Sequence, residues 1–167
     1  VIQGDALARG LIGAAAATGC MTTLRMAARR IGLIDRTPPQ ATKHWLAERT
    51  GREPATTVGH HVADSVIHLA VGLAAGAAYG ALVTEKPRPG LVQGALFGLG
   101  VWAVAFGFVA PRLGILPPPR ADRWMETAVN VAAHLVYGVA MALVTGELAQ
   151  QVHGPDATVR RIRARTG

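Results

Sequence analysis

Three stretches of the chain carry no charged residue for the length of a membrane crossing. Twenty uncharged residues separate Asp64 from Glu85, 23 separate Arg88 from Arg112, and 20 separate Glu126 from Glu147. A helix needs about 20 residues to cross a hydrocarbon core of roughly 30 Å. A helix of a water-soluble protein turns one face to solvent and seldom goes so long without a charge. A fourth stretch lies first in the chain, where Arg9 and Arg25 bracket 15 uncharged residues, Gly10 to Leu24, and the apolar pattern continues to Ala28. Fifteen residues fall short of a span. Arg25 laying its apolar stem towards the headgroups would supply the missing turn. A signal peptide is the competing reading, and Ala17-Thr18-Gly19-Cys20 faintly resembles a lipoprotein cleavage site. The internal repeat described below needs this segment, so a retained span is expected.

The expected spans are about 8–30, 57–84, 90–110 and 123–149, in one transmembrane domain over 1–150, followed by a basic polar tail over 151–167. Prolines punctuate them: Pro54 before the second, Pro87 and Pro89 before the third, Pro111 at its end, and Pro117-Pro118-Pro119 before the fourth. In the first long connection, Gln40 to Thr50 sets Trp45, Leu46 and Ala47 among Lys43, His44, Glu48 and Arg49, which predicts a short amphipathic helix on the membrane surface. Trp45 would lie at headgroup depth, with Trp124, Arg9, Arg25 and Arg112 as further headgroup contacts. The fold class expected is therefore all-α, an integral membrane four-helix bundle with one interfacial helix. Positive charges nearly balance across the two sides, and the dense arginine tail tips both termini towards the cytoplasm. The net charge of +7 is matched by anionic headgroups rather than nucleic acid, because the arginines cluster at span ends.

The sequence repeats. Arg30-Ile31-Gly32-Leu33-Ile34 followed by Pro38-Pro39 after the first span returns as Arg112-Leu113-Gly114-Ile115-Leu116 followed by Pro117-Pro118 after the third. The second and fourth spans align at an offset of 66, so that His68-Leu69-Ala70-Val71-Gly72 matches His134-Leu135-Val136-Tyr137-Gly138. Two halves, about 8–85 and 88–149, each contain two spans, which keeps them parallel about an axis along the membrane normal. Small residues recur at four-residue steps: Gly72, Gly76 and Gly80; Gly90, Gly94 and Gly98; Gly138, Ala142 and Gly146. In lipid such seams let helix backbones approach closely, and here they predict internal packing faces, or a face for self-association or a membrane-protein partner.

Under the same offset, His60, Asp64 and His68 align with Glu126, Asn130 and His134. Positions i, i+4 and i+8 share a helical face, so each even span carries a polar stripe entering from one side. If the axis passes between these spans, the stripes converge. Ionisable groups at membrane depth normally face the bundle interior or a wet cavity. They could hydrogen-bond and lock the bundle. They could bind a divalent metal, since His and carboxylate at this spacing suit zinc, iron or manganese. Paired histidines could instead ligate haem b, with Gly72 and Gly138 leaving room for the macrocycle. A small-molecule or lipid pocket is the remaining possibility. Catalysis has little support: Ser65 is the only serine, Cys20 lies in an apolar stretch, and neither HExxH nor a glycine-rich phosphate loop occurs. One cysteine also excludes a disulfide framework.

Arg112 to Pro119 and Glu126 to Gly138, within a four-span plan covering residues 8 to 149, resemble the YagU-like family of bacterial inner-membrane proteins. The resemblance implies a bacterial cytoplasmic membrane and little mechanism. The function expected is a non-enzymatic accessory or scaffolding subunit of a larger membrane assembly, in contact with lipids and needing no cofactor. A metal- or haem-binding protein centred on His68 and His134 is the alternative, and a small-solute transporter the third possibility.

Overall fold

The computed structural model describes residues 2–35, 38–52, 56–82 and 90–153. All regular structure among them is helical: α1 (Ile2–Arg30), α2 (Pro38–Thr50), α3 (Thr57–Leu82), α4 (Leu91–Trp102), a π-helical segment (Ala103–Val109), α5 (Ala110–Leu113) and α6 (Trp124–His153). The α4, π-helical and α5 segments run on as one rod, Leu91–Leu113, so four helices are long and apolar enough to cross a bilayer. The chain is a multi-pass membrane protein built as a four-helix bundle. The proline-flanked connection at 86–89, Pro54 and the tail beyond His153 lie outside the described residues.

Both repeated Arg-aliphatic-Gly segments end their helices in the same way. Gly32 and Gly114 adopt φ of 75° and 72°, the left-handed region where a Cβ would crowd the following carbonyl. Behind each, the next amide reaches back five residues: Leu33 N–H donates to Ala28 O and Ile115 N–H to Ala110 O, both at 2.9 Å. This is the Schellman arrangement, which satisfies carbonyls that a helix end leaves bare. Gly114→Ala is expected to cost about 1 kcal/mol, read as a lower thermal midpoint in detergent. Gly19→Ala, at an exposed helical position where a Cβ meets nothing, should show no loss.

Pro111 does not stop the third span. Proline lacks the N–H that would bond four residues back, and its ring crowds that carbonyl. The helix widens ahead of it instead: Ala110 N–H donates to Ala105 O, five residues earlier, and the chain continues to Leu113. Such π-helical stretches are rare and frequent at functional sites.

The spans pack in the order α3, α1, α6, α4, with α1 and α6 central. The small-residue seams account for these contacts. A Cβ at Gly80 would sit 2.7 Å from the carbonyl of Ala6, one at Gly76 would meet Gly10 and Ala14, and one at Gly72 would meet Thr18, so α3 lies against α1. Gly94 and Gly98 in turn press on His134, Gly138 and Ala142 of α6. Gly146 is buried in α6. Gly90 departs from the expectation: it is the exposed residue preceding α4, and a Cβ there meets nothing. It caps a helix rather than packing one. Ala14, Ala17 and Met21 of α1 close the core with Tyr79, Tyr137 and Met141.

The helix expected in the first connection is α2. Trp45, expected among headgroups, is committed to the protein at its polar edge: its indole N–H donates to Leu113 O at 2.7 Å. Arg49 stacks over the same ring at 4.6 Å. Lys43 pairs with Asp64 of α3 at 3.1 Å. Thus α2 ties the end of α5 to α3. Trp124, 74% exposed, and Arg112, over the Phe108 ring, stand on the outside at this same end. Arg9 is half-buried in α1.

Candidate functional site

Because α3 and α4 occupy opposite flanks of the α1–α6 pair, they do not pack along their lengths. A groove of about 620 Å³ lies between them. One wall is Ile67, Val71 and Ala75 of α3; the other is Phe97, Val101 and Val104 of the α4 rod. The floor is Met21 and Arg25 of α1 with His134 and Tyr137 of α6. At one end Pro38 and Thr42 of α2 meet Ile115 and Leu116. Towards the other, Tyr79 and Phe97 span the gap edge to face with ring centres 4.9 Å apart. Small residues, Gly72, Ala78 and Gly100, keep the interior wide.

The floor is polar where the walls are not. Arg25 is only 4% exposed. Expected among the headgroups, it is instead turned into the bundle: the Nη2 group donates to Asn130 Oδ1 of α6 at 3.0 Å, and the guanidinium lies 5.9 Å from the centre of the Phe106 ring. The reason is the face it occupies. Ala14, Met21, Arg25 and Ala28 are all buried on the stripe of α1 turned to the bundle, so its stem cannot reach the outside. Among the described residues its Nε has no hydrogen-bond partner, nor has Thr18 Oγ1 further along the floor.

The polar stripes share a space only at their deepest members, His68 and His134, because α1 stands between α3 and α6. His68 faces α1, with Nδ1 at 3.0 Å from Thr22 Oγ1 and Nε2 at 3.2 Å from Met21 Sδ. His134 donates from Nδ1 to Asn130 O in its own helix at 2.7 Å, which leaves Nε2 as the acceptor, and its ring meets Phe106 edge-on at 5.1 Å. Both imidazoles line the groove. Asp64 is taken by Lys43, Glu126 by the Asp35 N–H at 2.8 Å, and Asn130 by Arg25. His60 is half-buried near the start of α3. Among the described residues no three His, Cys, Asp or Glu side chains gather as a metal site. The carboxylate-containing ligand sets drawn from the sequence for a metal are thus not brought together there, whereas His68 and His134, the pair considered for haem b, share the groove.

A second, smaller cavity of about 280 Å³ opens at the α2 end and is lined by Asp35, Asp122, Arg123, Glu126 and Asn130. Arg123 pairs there with Asp35. Asn130 borders this vestibule while its partner Arg25 borders the groove, so the Arg25–Asn130 pair forms the partition between the two.

Sequence reasoning missed Arg25 and Phe106 as parts of the site. The signal for Arg25 was present, since it lies seven residues beyond Thr18 on the small-residue face of α1. Phe106 is turned onto Arg25 and His134 within the π-helical segment, whose only sequence sign is Pro111. No curated protein and no solved structure matches the chain. The family model described as protein of unknown function, DUF1440, matches residues 20–143, which takes in all the groove-lining residues named above except Thr18, and the chain belongs to that family.

Proposed function

We propose that this is a non-enzymatic membrane protein that holds an acyl-chain-bearing lipid, admitted sideways from the bilayer between α3 and α4. The observation that carries it is the groove itself. Its volume of about 620 Å³ falls within the span of small-molecule sites, roughly 300–1,000 Å³, and its walls are hydrocarbon. The repeat inferred from the sequence supports the reading. If α1 corresponds to α4 and α3 to α6, the mate of the α1–α6 interface is an α3–α4 interface, and that contact is the one left open. The resemblance to YagU-like proteins supports a bacterial cytoplasmic membrane. With both termini cytoplasmic, α2 and the vestibule would face the other side.

Filling the groove tests this. In Val101→Trp the indole would project from the wall into the space the acyl chain needs. Lipid retained through detergent exchange, extracted and weighed against protein, should fall to less than about half of wild type, since one bulky side chain overfills a preformed site. Full retention sinks the proposal. Full retention together with loss of a bound membrane-protein subunit would give the groove to a partner helix, the accessory role expected from sequence.

A further inference from the structure

Arg25 specifies the polar end of the occupant. We infer that the groove takes an anionic amphiphile, an apolar tail ending in an oxyanion head that seats on the Arg25 guanidinium; this rests on the groove being a lipid site. The guanidinium is buried, and among the described residues it makes a single hydrogen bond, to a neutral amide, keeps Nε without a partner and pairs with no carboxylate. A cation left in that state at membrane depth is strongly unfavourable, and proteins normally pair it or let it reach water. The surrounding groups do not lessen the positive field: His68 and His134 offer no charge of opposite sign, and Phe106 offers only its ring face. An oxyanion, which matches the planar fork of an arginine, would complete the site.

Two routes lead to Arg25, and their chemistry decides the source of the anion. From the water side lies the vestibule, where Asp35, Asp122 and Glu126 outnumber the one arginine, Arg123. Small anions from solution would be repelled there. From the bilayer side the walls are apolar, which suits a head carried in by its own chain. The orientation follows as well. Arg25 lies towards the α2 end, and the groove runs on from there along α3 from Ile67 to Ala78, about 17 Å at the helical rise. The head would lie on Arg25 and the tail would run towards the Tyr79–Phe97 contact.

The test uses the full chain in mild detergent, with cis-parinaric acid and its methyl ester as fluorescent probes. The acid should bind at least about ten-fold more tightly than the ester, the scale of one charge-assisted contact. Arg25→Gln should remove that preference while ester affinity stays, and Arg25→Lys should restore part of it. Equal affinity of acid and ester for the wild type overturns the head assignment and leaves the groove intact. Binding of neither probe overturns both. Displacement of the acid by millimolar acetate would show a free-anion site instead and also overturns the inference. Should Arg25→Gln fail to fold, the acid and ester comparison on the wild type decides alone.

Discussion

Gly98→Leu is expected to prevent α4 from docking and to leave no stable bundle. A Cβ at this position would fall against the His134 carbonyl, with the His134 carbonyl carbon at 3.0 Å and the Gly138 N at 3.1 Å. These are backbone atoms of α6, which cannot rotate aside as a side chain would. The helices must separate, and with them goes the close packing that replaces a hydrophobic drive in lipid. The loss should exceed about 3 kcal/mol, the upper range for overpacking a well-fitted core. It would be read as a polydisperse profile in detergent, with helicity by circular dichroism largely kept. Gly19→Leu, facing open space on α1, is the matched comparison and should purify as wild type. An ordinary, monodisperse Gly98→Leu protein would refute the packing order described above.

This packing was half legible in the sequence. The length of each uncharged run marks a span, and the four-residue glycine steps mark which face of a span meets another helix. Gly72, Gly76 and Gly80 do form a seam, and so do Gly94, Gly98 and Gly138. What spacing alone cannot say is which helix lies opposite. The stripe from His60 through His68 meets its counterpart from Glu126 through His134 only if the axis of the repeat passes between α3 and α6. The partner chosen by Gly72, Gly76 and Gly80 was α1, whose own small residues Ala6, Gly10 and Ala14 give the closer fit. With α1 inserted, Asp64 turns to Lys43 and Asn130 to Arg25, and of the two stripes only His68 and His134 share the groove. The same insertion explains the misreading of Arg25. A charge near a span end can reach headgroups from a lipid-facing position, and only knowledge of the neighbour shows that this one faces inward. The π-helical segment was hidden for a different reason. Pro111 signals a disturbed helix, and nothing in the residue pattern tells a stop from a widened turn.

Arg25→Met should make the lipid-free protein more stable, by about 1–4 kcal/mol, because a buried charge without an opposite partner is replaced by an apolar side chain of similar length. Asn130 loses its donor but borders the vestibule, where water can serve it. With cis-parinaric acid added, the order should invert. The wild type gains from a ligand that binds only the folded state, whereas the variant has lost the group that favours it. Thermal midpoints with and without the acid measure both effects in one series. A lower midpoint for Arg25→Met in lipid-free detergent would show that Asn130 and Phe106 already satisfy the cation, and that its burial calls for no guest.

The π-helical segment between Ala103 and Val109 has a consequence for how this wall can change over time. A wider turn holds one residue more than the ordinary helix beside it, and that residue sets the rotation of everything downstream. Ala110 is buried and the Leu113 carbonyl lies under Trp45 because the count of residues before them is what it is. Substitutions along Val104, Ala105 and Phe106 would reshape the groove locally. Removing or inserting a single residue would instead turn α5 about its axis and detach it from α2. The wall is therefore open to drift in composition and closed to drift in length.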